Sequence, residues 1–233
     1  MDCHGVFQDE GSVYFAMDHL RSDMHSLLVE KIHPRRMKKW IAQMALGIAA
    51  LHDMGIIHRD IKPENVLVDR CDNVRIFDYG TAYIHNKPVR RGRKYSQELV
   101  GTRQYLAPEF LSGKSYGPTV DYWALGCTVF DLIAGDILFA NDDRLWEYLE
   151  WDAAAEGVSY FRWRRPKLSE AEEDLLSGLL SRDSRTRYTL DELRVHPYFF
   201  DSKGRNVFDE VLRESAADTH GWSLFFSSSN ASH

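Results

Sequence analysis

His58-Arg59-Asp60-Ile61-Lys62-Pro63-Glu64-Asn65 is the stretch on which the reading of this 233-residue chain turns. An aspartate, a lysine two residues on and an asparagine five residues on can aim three groups into one cavity. Asp60 offers a catalytic carboxylate, Lys62 a phosphate-binding ammonium, and Asn65 a metal-binding amide. Alone, an Asp-x-Lys spacing is common and more often marks a surface turn. Its weight comes from what surrounds it.

On the N-terminal side, Met37, Trp40, Ile41, Met44, Ile48 and Leu51 recur at helical spacing, so residues 35–54 are expected to form a long amphipathic helix stopped by Gly55. Further back, Val13 to Met17 reads as a strand leaving a turn at Glu10-Gly11-Ser12, and Ser22 or Asp23 as the cap of a short helix running to Lys31. On the C-terminal side, Val66-Leu67-Val68 and Val74-Arg75-Ile76-Phe77 flank polar residues 69–73 and read as a hairpin. Residues 81–104 lack periodicity and carry Lys87, Arg90, Arg91, Arg93 and Lys94, which reads as a long exposed loop with a solvated charge run. Helices follow: Pro118-Thr119 opens an apolar segment closed by Gly135, and capping boxes begin at Ser169 and Thr189. Residues 201–233 weaken in pattern and read as a partly disordered, frayed extension.

Composition narrows the classes. Hydrophobic residues at 44% and charged residues at 27% fit a globular chain and exclude global disorder. A net charge of -6 gives no overall basic field for nucleic acid, so a nucleic-acid partner is not expected. The apolar run from Tyr122 to Ala140 contains Asp131 and Asp136, so it reads as a buried helix and no membrane span is expected. Cys3, Cys71 and Cys127 are odd in number and widely spaced, and no signal peptide is apparent at Met1. An intracellular location, cytoplasmic and/or nuclear, is the expectation.

Phosphoryl transfer needs an orienting base, metal ligands for the triphosphate and charge beside the moving group, and Asp60, Asn65 with Asp78, and Lys62 suit these roles. Four further motifs stand in order. Asp78-Tyr79-Gly80 comes eighteen residues after Asp60, followed by Ala107-Pro108-Glu109, Asp121-Tyr122-Trp123-Ala124-Leu125-Gly126, and Arg187. With residues 58–65 they resemble the catalytic loop, the D-F-G element with Tyr for Phe, the A-P-E element, the D-x-W-x-x-G helix start and the late arginine of the eukaryotic protein kinases. The likeness covers roughly residues 13–200. Lys62 and Thr102 point to the serine/threonine type, and Gly101-Thr102 with Trp123 to Cys127 look closest to the phosphoinositide-dependent branch of the AGC group.

The resemblance implies an α+β, protein-kinase-like fold: mainly the helical C-terminal lobe (21–200), with residues 1–20 as a remnant of the N-lobe sheet and the hinge. It implies ATP and Mg2+ as cofactors and a protein substrate. It places catalysis on Asp60, Lys62, Asn65 and Thr102, metal binding on Asn65 and Asp78, and nucleotide contacts on Met17, Asp18, Leu20, Asp23, Lys62, Asn65 and Asp78. Asp23 is equally well a simple helix cap. His58 is implied to be a packed core residue, Arg59 a clamp for a phosphorylated loop residue, and Arg187 the partner of Glu109. The family phosphosite falls on Glu98, so a carboxylate is expected to order the loop constitutively, with Ser96 a nearby alternative phosphosite.

The residues before Met17 hold no G-x-G-x-x-G, and the first arginine and lysine are Arg21 and Lys31. The chain is therefore expected to begin near the fourth strand of the small lobe, to leave Val13 to Leu20 loosely held, and to be a weak catalyst by itself. Two functions stay open: a serine/threonine kinase, or a non-catalytic kinase-derived interaction module.

Overall fold

The computed structural model describes residues 3–17, 22–28, 32–151, 159–165 and 167–217. Its first element is an antiparallel hairpin, β1 (Cys3–Gln8) against β2 (Val13–Met17), with Phe7 opposite Tyr14 and Gln8 opposite Val13. One side chain organises the turn. The Asp9 carboxylate accepts from the Gly11 and Ser12 amides at 2.9 and 2.8 Å and from the Tyr14 hydroxyl at 2.8 Å. β2 is the strand expected from sequence. β1 carried no readable signal, because His4-Gly5 interrupts its β-formers.

Ser22–Asp23 forms the short strand β3, and Asp23 then caps the single-turn helix α1 (Met24–Leu27), its Oδ1 accepting from the Ser26 amide at 2.7 Å. The long periodic segment becomes α2 (Pro34–Asp53), with Pro34 at its first position and the His33 Nδ1 accepting from the Arg35 amide at 3.3 Å. Trp40, Ile41, Met44 and Ile48 are fully buried on its inner face. Gly55 ends it at φ +86°, where an added Cβ would lie 2.2 Å from the His85 carbonyl oxygen. That close approach lets β4 (Ile56–Ile57) pair with β7 (Tyr83–Ile84). Between them, β5 (Val66–Val68) and β6 (Val74–Ile76) form the expected hairpin, and β3 adds to its edge.

After the one-turn helix α3 (Pro108–Leu111), α4 (Thr119–Ala134) runs through the core, and every residue from Thr119 to Leu132 is buried. This explains its apolar circumference: it is surrounded by protein. No described helix is long and apolar enough to cross a membrane. Gly135 closes α4 in the left-handed conformation at φ 65°. Then come α5 (Asp142–Glu150), α6 (Tyr160–Arg164), α7 (Glu170–Leu179) and α8 (Leu190–Val195), the last two opened by the capping boxes at Ser169/Glu172 and Thr189/Glu192.

The expectation of a frayed end does not hold for residues 207–217. They form α9 (Val207–Ala217), which lies on α2 through Arg35–Glu210 at 2.7 Å and Lys39–Glu214 at 2.9 Å, with Phe208 fully buried against Phe199. Apolar residues at 207, 208, 211 and 212 were the overlooked helical signal. Residues 218–233 lie outside the described set.

Candidate active site

The loop that carries the candidates is held from below by one buried carboxylate. Asp121, in the first turn of α4, accepts from the His58 amide at 3.0 Å, the Arg59 amide at 2.8 Å and the His52 Nε2 at 2.8 Å. Burial works against its charge, but the bonds from His52 and the Arg59 amide hold the carboxyl below its ordinary value. These anchors fix Arg59 at φ 70°, a left-handed conformation costly for a side-chain-bearing residue. His58 is fully buried; its Nε2 donates to the Phe77 carbonyl at 3.0 Å and its Nδ1 accepts from the Asp60 amide at 3.3 Å. It is a packed brace, as the resemblance implied.

Above that brace the candidate carboxylate is held on both oxygens. Asp60 Oδ1 accepts from the Thr102 amide at 2.7 Å, and Oδ2 accepts from Asn65 Nδ2 at 3.0 Å and lies 3.1 Å from Lys62 Nζ. Lys62 also donates to Thr102 Oγ1 at 2.5 Å. Burial raises the Asp60 carboxyl, and the bonds from Thr102 and Lys62 more than offset it, so the group sits below its ordinary value and stays ionised. Gly101 makes the crossing possible: at φ +101°, its missing Cβ would meet the Arg59 carbonyl oxygen at 2.3 Å. Asp60, Lys62, Asn65 and Thr102 are thus one hydrogen-bonded cluster.

Asn65 donates through Nδ2 to both the Asp60 carbonyl (2.9 Å) and its carboxylate, which fixes the amide orientation and turns its oxygen away as an acceptor. The Phe77 amide bonds the Asn65 carbonyl at 2.9 Å, so the β5–β6 hairpin delivers Asp78 one residue beyond that pairing. Asp78 is exposed, at φ 61°, with Oδ1 accepting from the Gly80 amide at 3.1 Å. Among the described residues no three His, Cys, Asp or Glu side chains form a protein-only metal cage. An amide oxygen and one exposed carboxylate are instead a donor set for a hard cation that keeps most of its ligands from phosphate and water, so the residues fit Mg2+.

The nucleotide contacts read from sequence fare differently. Asp18 and Leu20 lie outside the described residues, as does the Met17 side chain. Asp23 is described, and its Oδ1 is engaged by the Ser26 amide and hydroxyl at 2.7 and 2.8 Å, so the helix-cap reading is realised. In the loop after Asp78, Arg90 pairs with Asp53 (2.9 Å) and Arg91 with Glu192 (2.7 Å), so part of the basic run pins the loop to the helices. Glu109 meets Arg187 in a buried bidentate pair at 2.7 and 3.0 Å, which ties the end of this loop to the far side of the lobe. Three participants had no sequence signal: His52, Tyr116, whose hydroxyl accepts from Arg59 Nη1 at 3.0 Å, and Asp131. Asp131, buried in α4, accepts from the Tyr105 hydroxyl at 2.8 Å and the Leu138 amide at 3.0 Å. These groups meet only through tertiary folding.

The family model described as the protein kinase domain matches residues 1–199. This chain belongs to the protein kinase family. It is 32% identical over 214 residues to the serine/threonine-protein kinase PKH2 of Candida albicans, covering 88% of this chain and 22% of that protein. Against the serine/threonine-protein kinase ksg1 of Schizosaccharomyces pombe it is 33% identical over 222 residues, covering 90% of this chain and 36% of that one. Ribosomal protein S6 kinase 2 beta of Xenopus laevis is 30% identical over 204 residues, 84% of this chain and 31% of that one. The chain thus spans about a fifth to a third of the length of these kinases. The serine/threonine character read from Lys62 and Thr102 agrees with their names, and the helix-dominated α+β architecture is that of the kinase fold. α9 lies beyond the residues matched by the kinase model.

Proposed function

We propose that this chain carries the catalytic centre of a serine/threonine protein kinase, transferring the γ-phosphoryl group of ATP to a protein hydroxyl. The observation that carries the reading is the cluster around Asp60: an ionised carboxylate fixed by Thr102 N–H and Lys62. Asp60 would orient the acceptor hydroxyl and take its proton as the new oxygen–phosphorus bond forms and the bond to the ADP oxygen breaks. Lys62 would sit beside the transferring group as a point charge, with Thr102 setting its direction. Asn65 and Asp78 would hold Mg2+, which when bound offsets the charge of the triphosphate.

In this reading residues 21–200 form the catalytic lobe, residues 1–20 belong to the small lobe and the hinge, and Met17, Asp18 and Leu20 are the candidate nucleotide contacts. Asp18, Asp23 and Glu64 favour a basic peptide. The free thiols Cys71 and Cys127 fit a reducing cytoplasmic and/or nuclear setting.

A second reading is a non-catalytic interaction module. Labelled ATP with serine, threonine and tyrosine peptides separates the two. The kinase reading expects magnesium-dependent label on serine or threonine and none on tyrosine. No transfer to any peptide supports the module.

A further inference from the structure

A cavity of about 600 Å3 lies between the first turns of α2, the C-terminal end of α4, the start of α7 and residues 197–198. Leu28, Ile32, Met37, Ile133, Ala171 and Tyr198 line it. The first five pack on the core yet are only partly buried, so their remaining surface gives the cavity an apolar wall. Two charged residues also line it, and both are engaged. Lys38 Nζ stands 4.9 Å over the Tyr198 ring and donates to the Phe200 carbonyl at 3.4 Å. The Glu172 carboxylate accepts from the Ser169 amide and hydroxyl, each at 2.8 Å. An apolar wall with one cation and one anion already committed suits an uncharged, apolar occupant; a charged one would give up its hydration without a matching partner.

The chain itself supplies such a segment, beyond the last described residue. Residues 219–233 contain no Asp, Glu, Lys or Arg, and Trp222, Leu224, Phe225 and Phe226 gather there within an otherwise polar run. Each aromatic ring takes about 150–250 Å2 out of water when it is buried. Reach is sufficient. α9 runs parallel to α2, since Arg35 pairs with Glu210 and Lys39 with Glu214, and it is described to Ala217. Its C-terminal turn therefore lies beside Gln43, and Met37 is about 9 Å back along α2, a helix about 10–12 Å across. Trp222 and Phe226 stand five and nine residues beyond Ala217, a span of up to about 17 and about 32 Å. A second cavity lies nearer the end of α9, but Lys39, Gln43, Asn73, Glu214 and Ser215 give it a mainly polar wall that does not match this segment.

We propose that segment 222–226 of this chain docks in the cavity between α2, α4 and α7, as a ligand the lobe carries on its own tail. Tethering through residues 218–221 gives the segment an effective concentration of about a millimolar, so a modest affinity keeps it in place. The docking does not involve Asp60 and is independent of phosphoryl transfer. Its test places a photo-crosslinking benzoylphenylalanine at position 225 of the full chain and maps the products by mass spectrometry. Cross-links within one copy to peptides carrying residues 28–38, 132–135 or 197–198 are expected. Cross-links to residues 3–17 instead, to a second copy, or to no part of the lobe would overturn the proposal. A second measurement follows chymotrypsin cleavage after residues 222–226. Met37→Glu puts a charge on the apolar wall and is expected to speed that cleavage about tenfold or more, whereas Met37→Leu keeps the wall apolar and should leave the rate unchanged. Cleavage of Met37→Glu at the wild-type rate would also overturn it. The cross-link map uses an unaltered lobe, so it decides even where Met37→Glu weakens α2.

Discussion

Asp131 shows how a residue acquires consequences its motif does not announce. Burial pushes its carboxyl up from 3.8 to about 7; the Tyr105 hydroxyl and Leu138 amide pull it back in part, while Glu64 and Asp136 push it further up. The folded state therefore holds this proton more tightly than the unfolded chain. Stability from this group is complete below about pH 4 and is lost as pH rises through about 7, at up to about 1.4 kcal/mol per pH unit. Melting temperatures at pH 5 and pH 8 should differ less in Asp131→Asn than in wild type; an unchanged difference would show that other groups govern the slope. Asp60, Lys62, Asn65 and Thr102 were legible because the first three sit within six residues and Thr102 in a recognisable Gly-Thr pair. Asp131, His52 and Tyr116 were not, since each reaches its partner across a fold that no local pattern encodes: Tyr105 lies 26 positions from Asp131 and Asp121 lies 69 from His52.

Among elements, those with caps and clean periodicity were readable. α2 and α4 follow their apolar spacing and glycine stops, and α7 and α8 follow their capping boxes. β1 was not readable, because His4-Gly5 interrupts its β-formers; α9 did carry apolar residues at helical spacing, at 207, 208, 211 and 212, and packs on a partner. For α9 that partner is α2, and Phe208 is its fully buried anchor. Phe208→Ala should lower the free energy of unfolding by about 3–5 kcal/mol in denaturant titrations. A loss below about 1 kcal/mol would mean that α9 is peripheral to the fold.

For the whole molecule, the contrast is between a lobe built on α4 and a hairpin outside it. Among the described residues β1 and β2 pair with each other and with no other strand, and Val6, Phe7, Val13 and Tyr14 are each more than half exposed. Two strands with exposed apolar faces have little to oppose their opening. The amides of residues 3–17 should exchange orders of magnitude faster than those of 120–132, and equal protection would refute the expectation of a loosely held hairpin. The lobe does not share this weakness, because the buried Glu109–Arg187 pair joins segments 78 residues apart around Trp123.

The central claim is that Asp60 orients the attacking hydroxyl. Its most direct test is γ-phosphoryl transfer to a serine peptide by Asp60→Asn beside wild type, with magnesium-ATP binding measured on both proteins. The account predicts that Asp60→Asn binds nucleotide within about threefold of wild type and loses at least about a hundredfold in transfer rate. Equal transfer by the two proteins would contradict it.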